Sequence, residues 1–316
     1  MCNEDMKPVQ KKPKLIVICG PTGIGKTATA IEIAKAFQGE IVGADSMQIY
    51  RYMDIGTAKP TADEQARIPH HMIDIVDPDE HFDAVQYSSL ARENVAALHE
   101  RRITPLVVGG TGLYIKSLLY GMFHSGSTDA DIRDRLNKQA EEHGSEFLYQ
   151  RLQKCDSSAA QKLHPHDSYR IIRALETYEA TGTPISEHHH DHGFSEQPFD
   201  TLKIGLNMQI ELLYNRINER VDVMLGAGFF DEVKKLLNMG YTPDLKSMQS
   251  IGYRHVTDYL DGRLSRAECV RTLKRDHRRY AKRQLTWFGA DDEIIWKAPG
   301  QLEEINVVVG GFLGEA

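Results

Sequence analysis

Residues 14–19, KLIVIC, are apolar at every position after Lys14, the pattern of a strand buried on both faces. A glycine-rich turn follows, and then Ala30, Ile33, Ala34 and Phe37 recur at helical spacing. EIVGA at 40–44 and MIDIV at 72–76 read as a second and a third strand. A helix is predicted after Asp83, a good N-cap, with Ala91, Val95 and Leu98 on one face. PLVVG at 105–109 is another buried strand, and the turn GGTG opens a helix running to Leu119. Strands alternating with helices predict a parallel α/β sheet covered on both faces.

The pattern changes near residue 122. From 124 to 198 no segment reads as a strand, and helices are predicted at 130–142, 145–154 and 168–181, the last capped by Asp167 and stopped by Gly182 and Pro184. This predicts a helical insertion at 124–198, set into a core made of 14–123 and 199–316. The strand pattern returns in TLKIGLNM at 201–208, followed by helices at about 209–225, 229–238 and 250–261. The long helix 266–288 opens on Ser265 and Glu268 in capping-box spacing, and a strand EIIW at 293–296 and a short helix close the pattern.

At 316 residues the chain is long enough for roughly two domain units of about 150 residues each. No apolar run reaches the roughly 18 residues needed to span a bilayer, and the polar start MCNEDMKPVQKKPK is unlike a secretory signal, so no membrane association is expected. Cys2, Cys19, Cys155 and Cys269 are far apart, which argues against a disulfide framework and for the cytoplasm. The formal net charge of −7 by itself argues against a nucleic-acid partner.

The turn at 20–27 reads GPTGIGKT: Gly20, Pro21, Thr22, Gly23, Ile24, Gly25, Lys26 and Thr27. This G-x-x-x-x-G-K-T pattern lies between a strand and a helix, the context in which backbone N–H groups converge on phosphate oxygens at a helix N-terminus. Lys26 supplies a point charge, and Thr27 can place a hydroxyl on Mg²⁺. The pattern predicts a di- or triphosphate site without saying which reaction follows. An apolar strand ending in a metal-holding Asp usually completes such a site, but PLVVG ends in GGTG. The carboxylate lies instead at Asp45, just past EIVGA, where the ends of parallel strands face ligands. Asp45 there can act on a metal or on a nucleophile's proton, and it can equally cap a turn. Gly109, Gly110 and Thr111 are expected in the same row of strand ends.

Arg216 and Arg220 stand at i, i+4 on helix 209–225, suited to a diphosphate or to a solvated, Glu-paired face. RTLKRDHRRYAKR at 271–283 holds seven basic residues against Asp276, a local charge of +6 that leaves −13 for the remainder of a chain totalling −7. Such a stripe is a footprint for phosphate backbones, and Tyr280, Trp287 and Phe288 add rings for stacking or for the core. Arg170 and Arg173 form a weaker patch. HHHDH at 188–192 is read as part of a polar loop, with nothing visible to orient its imidazoles as metal ligands.

GADSMQIYRYMDIGTAKP at 43–60, PLVVGGTGLYIKSLL at 105–119, RINERVDVML at 216–225, QSIGYR at 249–254 and KRQLTWF at 282–288 together resemble the tRNA dimethylallyltransferase family, over about residues 14–296. The resemblance implies a P-loop NTPase-like α/β core with a helical insertion, and transfer of a dimethylallyl group from dimethylallyl diphosphate to N6 of adenosine 37 in the tRNA anticodon loop. The cradle then holds that diphosphate with Mg²⁺, not ATP. Asp45 is implied as the base near N6, Thr22 as the contact near the leaving oxygen, and Arg220 as a diphosphate-binding arginine. Ser46, Met47 and Gln48 match the segment that meets the flipped base, and Gly109 and Thr111 fall beside it. Tyr169, Arg170, Arg173, Gln249, Gly252, Tyr253, Arg254, Lys282, Arg283, Gln284 and Trp287 fall in the segments implied to contact tRNA. The resemblance also implies a monomer. A small-molecule P-loop kinase and a non-catalytic RNA-binding protein are the rival readings; the first does not predict the basic stripe, and the second does not need Asp45.

Overall fold

β1 (Lys14–Cys19) lies near the centre of a sheet of six parallel strands, in a computed structural model that describes residues 12–122, 130–192 and 196–314. After the glycine-rich turn, α1 (Lys26–Ala36) buries Ala30, Ile31, Ile33 and Ala34. β2 (Gly39–Ala44) is buried throughout. α2 (Ala62–Arg67) starts on a capping box of Thr61 and Glu64 and leads to the two-residue β3 (His70–His71). α3 (Ala84–Glu100) begins on Asp83, whose carboxylate accepts from the amides of Val85 and Gln86. β4 (Thr104–Gly109) and α4 (Gly112–Tyr120) follow.

The predicted strand at 72–76 is not formed. Met72 and Asp74 take φ of 63° and 54°, which breaks the extended backbone; β3 ends before them, and only Val76 makes an isolated bridge, to Tyr50.

The chain divides into one unit of residues up to 119 and from 197, and a second of 120–196. The second unit is helical among its described residues: α5 (Ala130–His143), α6 (Ser145–Cys155), α7 (Ser157–Ala160), α8 (Ser168–Thr181) and α9 (Ile185–His192). Leu136, Leu148, Leu152, Ile171, Ile172 and Leu175 give it a core of its own. HHHDH is therefore helical and not a loop. Pro184, with its fixed φ, starts the turn, and its carbonyl accepts from the amides of Glu187 and His188.

In the first unit, β5 (Asp200–Leu206) is followed by α10 (Ile210–Gly226), α11 (Phe229–Asn238), α12 (Tyr253–Leu260) and α13 (Arg266–Phe288). β6 (Ile295–Lys297) and α14 (Leu302–Leu313) complete it. The helix predicted from 250 starts at Tyr253 because Gly252, at φ 103°, breaks the backbone before it. The sheet order is β3-β2-β4-β1-β5-β6, all parallel. Ile16 and Ile18 of β1 pack with Ile33 of α1 and Ile305 and Val309 of α14. The alternate residues Leu15 and Val17 are equally buried, and α3, which packs on β2 and β4, covers that other face. The connection from β1 passes over β4 to reach β2, whereas β5 lies on the opposite side of β1. This switch point is where open α/β sheets bind ligands.

Candidate active site

The pairing register sets Cys19, Gly109 and Ala44 side by side at the tips of β1, β4 and β2. The approach is close enough to demand glycine: a Cβ on Gly109 would stand 2.0 Å from the Ala44 carbonyl oxygen. Three loops thus leave one row, starting at Gly20, Asp45 and Gly110, as the sequence predicts. The Thr111 amide donates to the Ala44 carbonyl at 3.1 Å, and the Ser46 amide to Thr111 Oγ1 at 3.0 Å, tying two of them together.

The first loop is the cradle. Gly23 and Gly25 take φ of 80° and 103°, and no side chain caps α1 at Gly25. The first-turn amides of α1, including those of Lys26 and Thr27, have no acceptor in the helix and are suited to an anion. Ile24 is fully buried beneath the loop. Lys26 Nζ donates to the carbonyls of Gly20 and Pro21 at 3.1 and 2.9 Å. Burial, and secondarily Arg220, lower its pKa to about 8 against the pull of Asp45.

α10 runs along the cradle. Ile217 packs under Gly23, its Cγ1 2.9 Å from where a Cβ would sit. Arg220 Nη2 donates to Thr22 Oγ1 at 2.6 Å, and Arg220 Nε is buried with no protein acceptor. Burial holds the Arg220 pKa below its ordinary value, which marks a guanidinium short of counter-charge. Arg216 Nη2 lies 3.4 Å from the position a Gly25 Cβ would take, which puts this more exposed residue at the rim. Both arginines therefore line the cradle, and neither stands on a merely solvated face.

Asp45 Oδ1 accepts from the amides of Met47 and Gln48 at 2.9 and 3.3 Å. The turn-capping role open from the sequence is thus real, and it uses one oxygen. Asp45 also acts electrostatically on Lys26, Arg220 and Tyr280, so its carboxylate lies within the field of the cradle. Gln48 does not project freely: its Nε2 donates to the carbonyls of Thr57 and Ala58 at 3.2 and 3.1 Å.

Gln284, placed among tRNA-contacting residues from the sequence, is buried and joins two loops of the site. Its Oε1 accepts from the Thr22 amide at 2.8 Å, and its Nε2 donates to the Gly110 carbonyl at 2.8 Å. Tyr253 is likewise fully buried; its edge meets Phe229, and its hydroxyl donates to Glu232 at 2.6 Å. Gly252 and Gly109 are buried backbone positions. None of these four offers a surface to RNA, because each sits where α12, α13 or a strand tip packs inward. Thr111 is held in the loop contacts above.

Gln249, Arg254, Lys282, Arg283 and Trp287 keep exposed or half-exposed surface. The Arg283 guanidinium lies over the Tyr280 ring at 5.5 Å, and Trp287 packs over Gly112. In the second unit, Tyr169 is 70% exposed and Arg170 is exposed beside Asp167. Arg173 pairs with the buried carboxylate of Glu176 at 3.0 Å, a contact that serves its own helix.

The sequence reading missed two anchors. Glu232 accepts from the consecutive amides of Asp54, Ile55 and Gly56 at 3.0, 2.7 and 3.1 Å, fixing the loop downstream of Asp45. Asp276 is a hub: Arg254 and His255 reach its Oδ2 at 2.9 and 3.1 Å, and Arg275 its Oδ1 at 2.9 Å. Its isolation in a basic run was the available signal.

The IPP transferase family matches residues 48–291 of the chain. A tRNA dimethylallyltransferase of Desulfosudis oleivorans is 54% identical over 96% of each chain, and a tRNA dimethylallyltransferase 2 of Syntrophus aciditrophicus 51% identical over 96% and 97%. The crystal structure of the tRNA isopentenylpyrophosphate transferase of Bacillus halodurans matches with a TM-score of 0.72 and 42% identity, covering 96% of this chain and 98% of that one. A eukaryotic dimethylallyltransferase acting on tRNA matches with a TM-score of 0.79 and 31% identity, covering 92% and 75%.

Proposed function

The chain belongs to the IPP transferase family and is a prenyltransferase acting on tRNA, and from that premise we propose how its site divides the work. The cradle of residues 20–27 takes the diphosphate of dimethylallyl diphosphate, and Asp45 receives a proton from N6 of adenosine 37 in the tRNA anticodon loop. The observation that carries this reading is the adjacency of the two sites. Asp45 leaves β2, separated from the cradle at the tip of β1 by the tip of β4 alone, and lies within the field of Lys26 and Arg220.

Adenine leaves its stack to reach a site at the strand ends. N6 attacks C1 of the allyl group while the C1–O bond breaks, its electron pair leaving with the diphosphate. The N6 proton passes to Asp45. Allylic delocalisation stabilises positive charge at C1, so the main demand falls on the leaving group. Lys26, Arg220 and the amides of α1 meet that demand with charge fixed before reaction. Thr22, held by Arg220 and through its amide by Gln284, lies at the same end of the cradle.

Mg²⁺ fits this donor set. Thr27 offers a hydroxyl at the head of α1, beside the amides of the cradle. A single hydroxyl suits an ion carried chiefly by phosphate oxygens and water. When bound, it supplies further neutralisation of the leaving diphosphate. The exposed Lys282, Arg283 and Trp287 of α13, with Arg254, support tRNA docking by phosphate contacts and stacking. No described helix is long and apolar enough to cross a membrane. A monomer working in the cytoplasm is the setting this reading takes.

The test is single-turnover transfer by Asp45→Asn. We expect the rate to fall by about 10²–10⁴, with donor affinity within a few-fold of wild type. A variant that transfers at the wild-type rate removes Asp45 from the role of base.

A further inference from the structure

The seam between α10 and α13 holds polar chemistry that the reaction above does not use. The two helices run antiparallel, as two contacts show: Arg278 donates to Asn218 at 2.6 Å, and Lys274 Nζ approaches Asp222 Oδ1 at 2.6 Å. The level between them carries Arg220 on one helix and Asp276 and His277 on the other. Arg220 spends one nitrogen on Thr22 and leaves Nε buried without a protein acceptor. His277 is 6% exposed, and neither of its ring nitrogens has a protein partner. The ring interacts electrostatically with Arg220, His255 and Asp276.

Buried polar atoms without partners are costly, so three in one seam call for an explanation. Their chemistry is complementary. Arginine Nε is only a donor, and a neutral imidazole always has one nitrogen free to accept. Burial, then Arg220 and His255, push the His277 pKa down to about 3, so the ring is neutral at physiological pH and keeps that acceptor. We propose that His277 is a positioning residue for the diphosphate site: its ring accepts from Arg220 Nε through one enclosed water and fixes the plane of the guanidinium. Arg220 then presents its outer nitrogens to Thr22 and to the incoming diphosphate without rotating. Asp276 does not fill this place: its carboxylate is turned to Arg254, His255 and Arg275, and Arg220 Nε has no bond to it.

This inference rests on the reading of the cradle as a diphosphate site, so the experiment separates the two. Inorganic diphosphate with Mg²⁺ is titrated calorimetrically into the full chain, the wild type beside His277→Leu and His277→Gln. Leucine fills the space without an acceptor, and glutamine restores one. We expect His277→Leu to weaken diphosphate binding about tenfold, His277→Gln to recover most of that loss, and tRNA affinity to stay unchanged in both. A role in packing alone would lower Tm in both variants without this split. Wild-type affinity in a folded His277→Leu overturns the inference and leaves the site reading intact. Failure of the wild type to bind diphosphate overturns the site reading itself. Should His277→Leu not fold, His277→Ser is compared with His277→Ala: tighter binding by the serine variant supports the acceptor role, and equal binding overturns it.

Discussion

Lys26 is an ammonium held among carbonyls and beside a second cation, and burial has already taken its pKa to about 8. Below about 8 the amine is protonated and ready for an anion; above it, binding must first take up a proton. Affinity for inorganic diphosphate should therefore decline above pH 8, by up to about tenfold per pH unit, and Lys26→Arg should flatten the decline. A calorimetric series from about pH 7 to 9.5 checks this, and a flat wild-type profile contradicts it. Lys26 was legible in the sequence because glycine spacing, lysine and threonine answer to one geometric demand. Asp45 was legible as a carboxylate at a strand end, with turn cap and site group as alternatives; that it fills both places at once was not. His277 was hidden, and Gln284 was read as a tRNA contact and not as a buried link between loops, because a polar side chain within a basic helix reads as solvated until its burial is known.

At the scale of elements, α13 shows where pattern reading stops. Its start was plain from Ser265 and Glu268, and both partners of that capping box are in place. Its inner face was not, because Asp276, His277 and Gln284 interrupt the apolar spacing yet lie inside. MIDIV had strand composition, but backbone turns at Met72 and Asp74 overrode it, and Pro184 made a helix of a histidine run that looks like a loop. Asp276 gives this scale its test. Although burial opposes it, hydrogen bonding from Arg275, His255 and Arg254 holds the carboxyl at about 2, below the ordinary value of 3.8. A depressed carboxyl stabilises the fold above the ordinary value, and that stability disappears as pH falls through about 2. Asp276→Asn should cost about 1–3 kcal/mol at neutral pH, and urea unfolding should show the difference shrinking below about pH 4. An equal difference at pH 7 and pH 3 contradicts the assignment.

Over the whole molecule, the parallel sheet and the helical second unit were legible because the change of hydrophobic period near residue 122 is abrupt. The net charge of −7 misled on its own, since it adds a basic stretch of +6 at 271–283 to an acidic remainder. The structure refines that stretch further. Lys274, Arg275 and Arg278 are engaged by Asp222, Asp276 and Asn218, while Lys282 and Arg283 stand exposed. The measurement that bears most directly on the account follows one labelled group. The chain is incubated with Mg²⁺, tRNA and dimethylallyl diphosphate labelled in its allyl carbons, and the tRNA is digested to nucleosides. The account predicts label in N6-isopentenyladenosine with one diphosphate released per group transferred, and less transfer at subsaturating tRNA as salt rises. Label absent from adenosine, or tRNA labelled instead from the γ-phosphate of ATP, would contradict it.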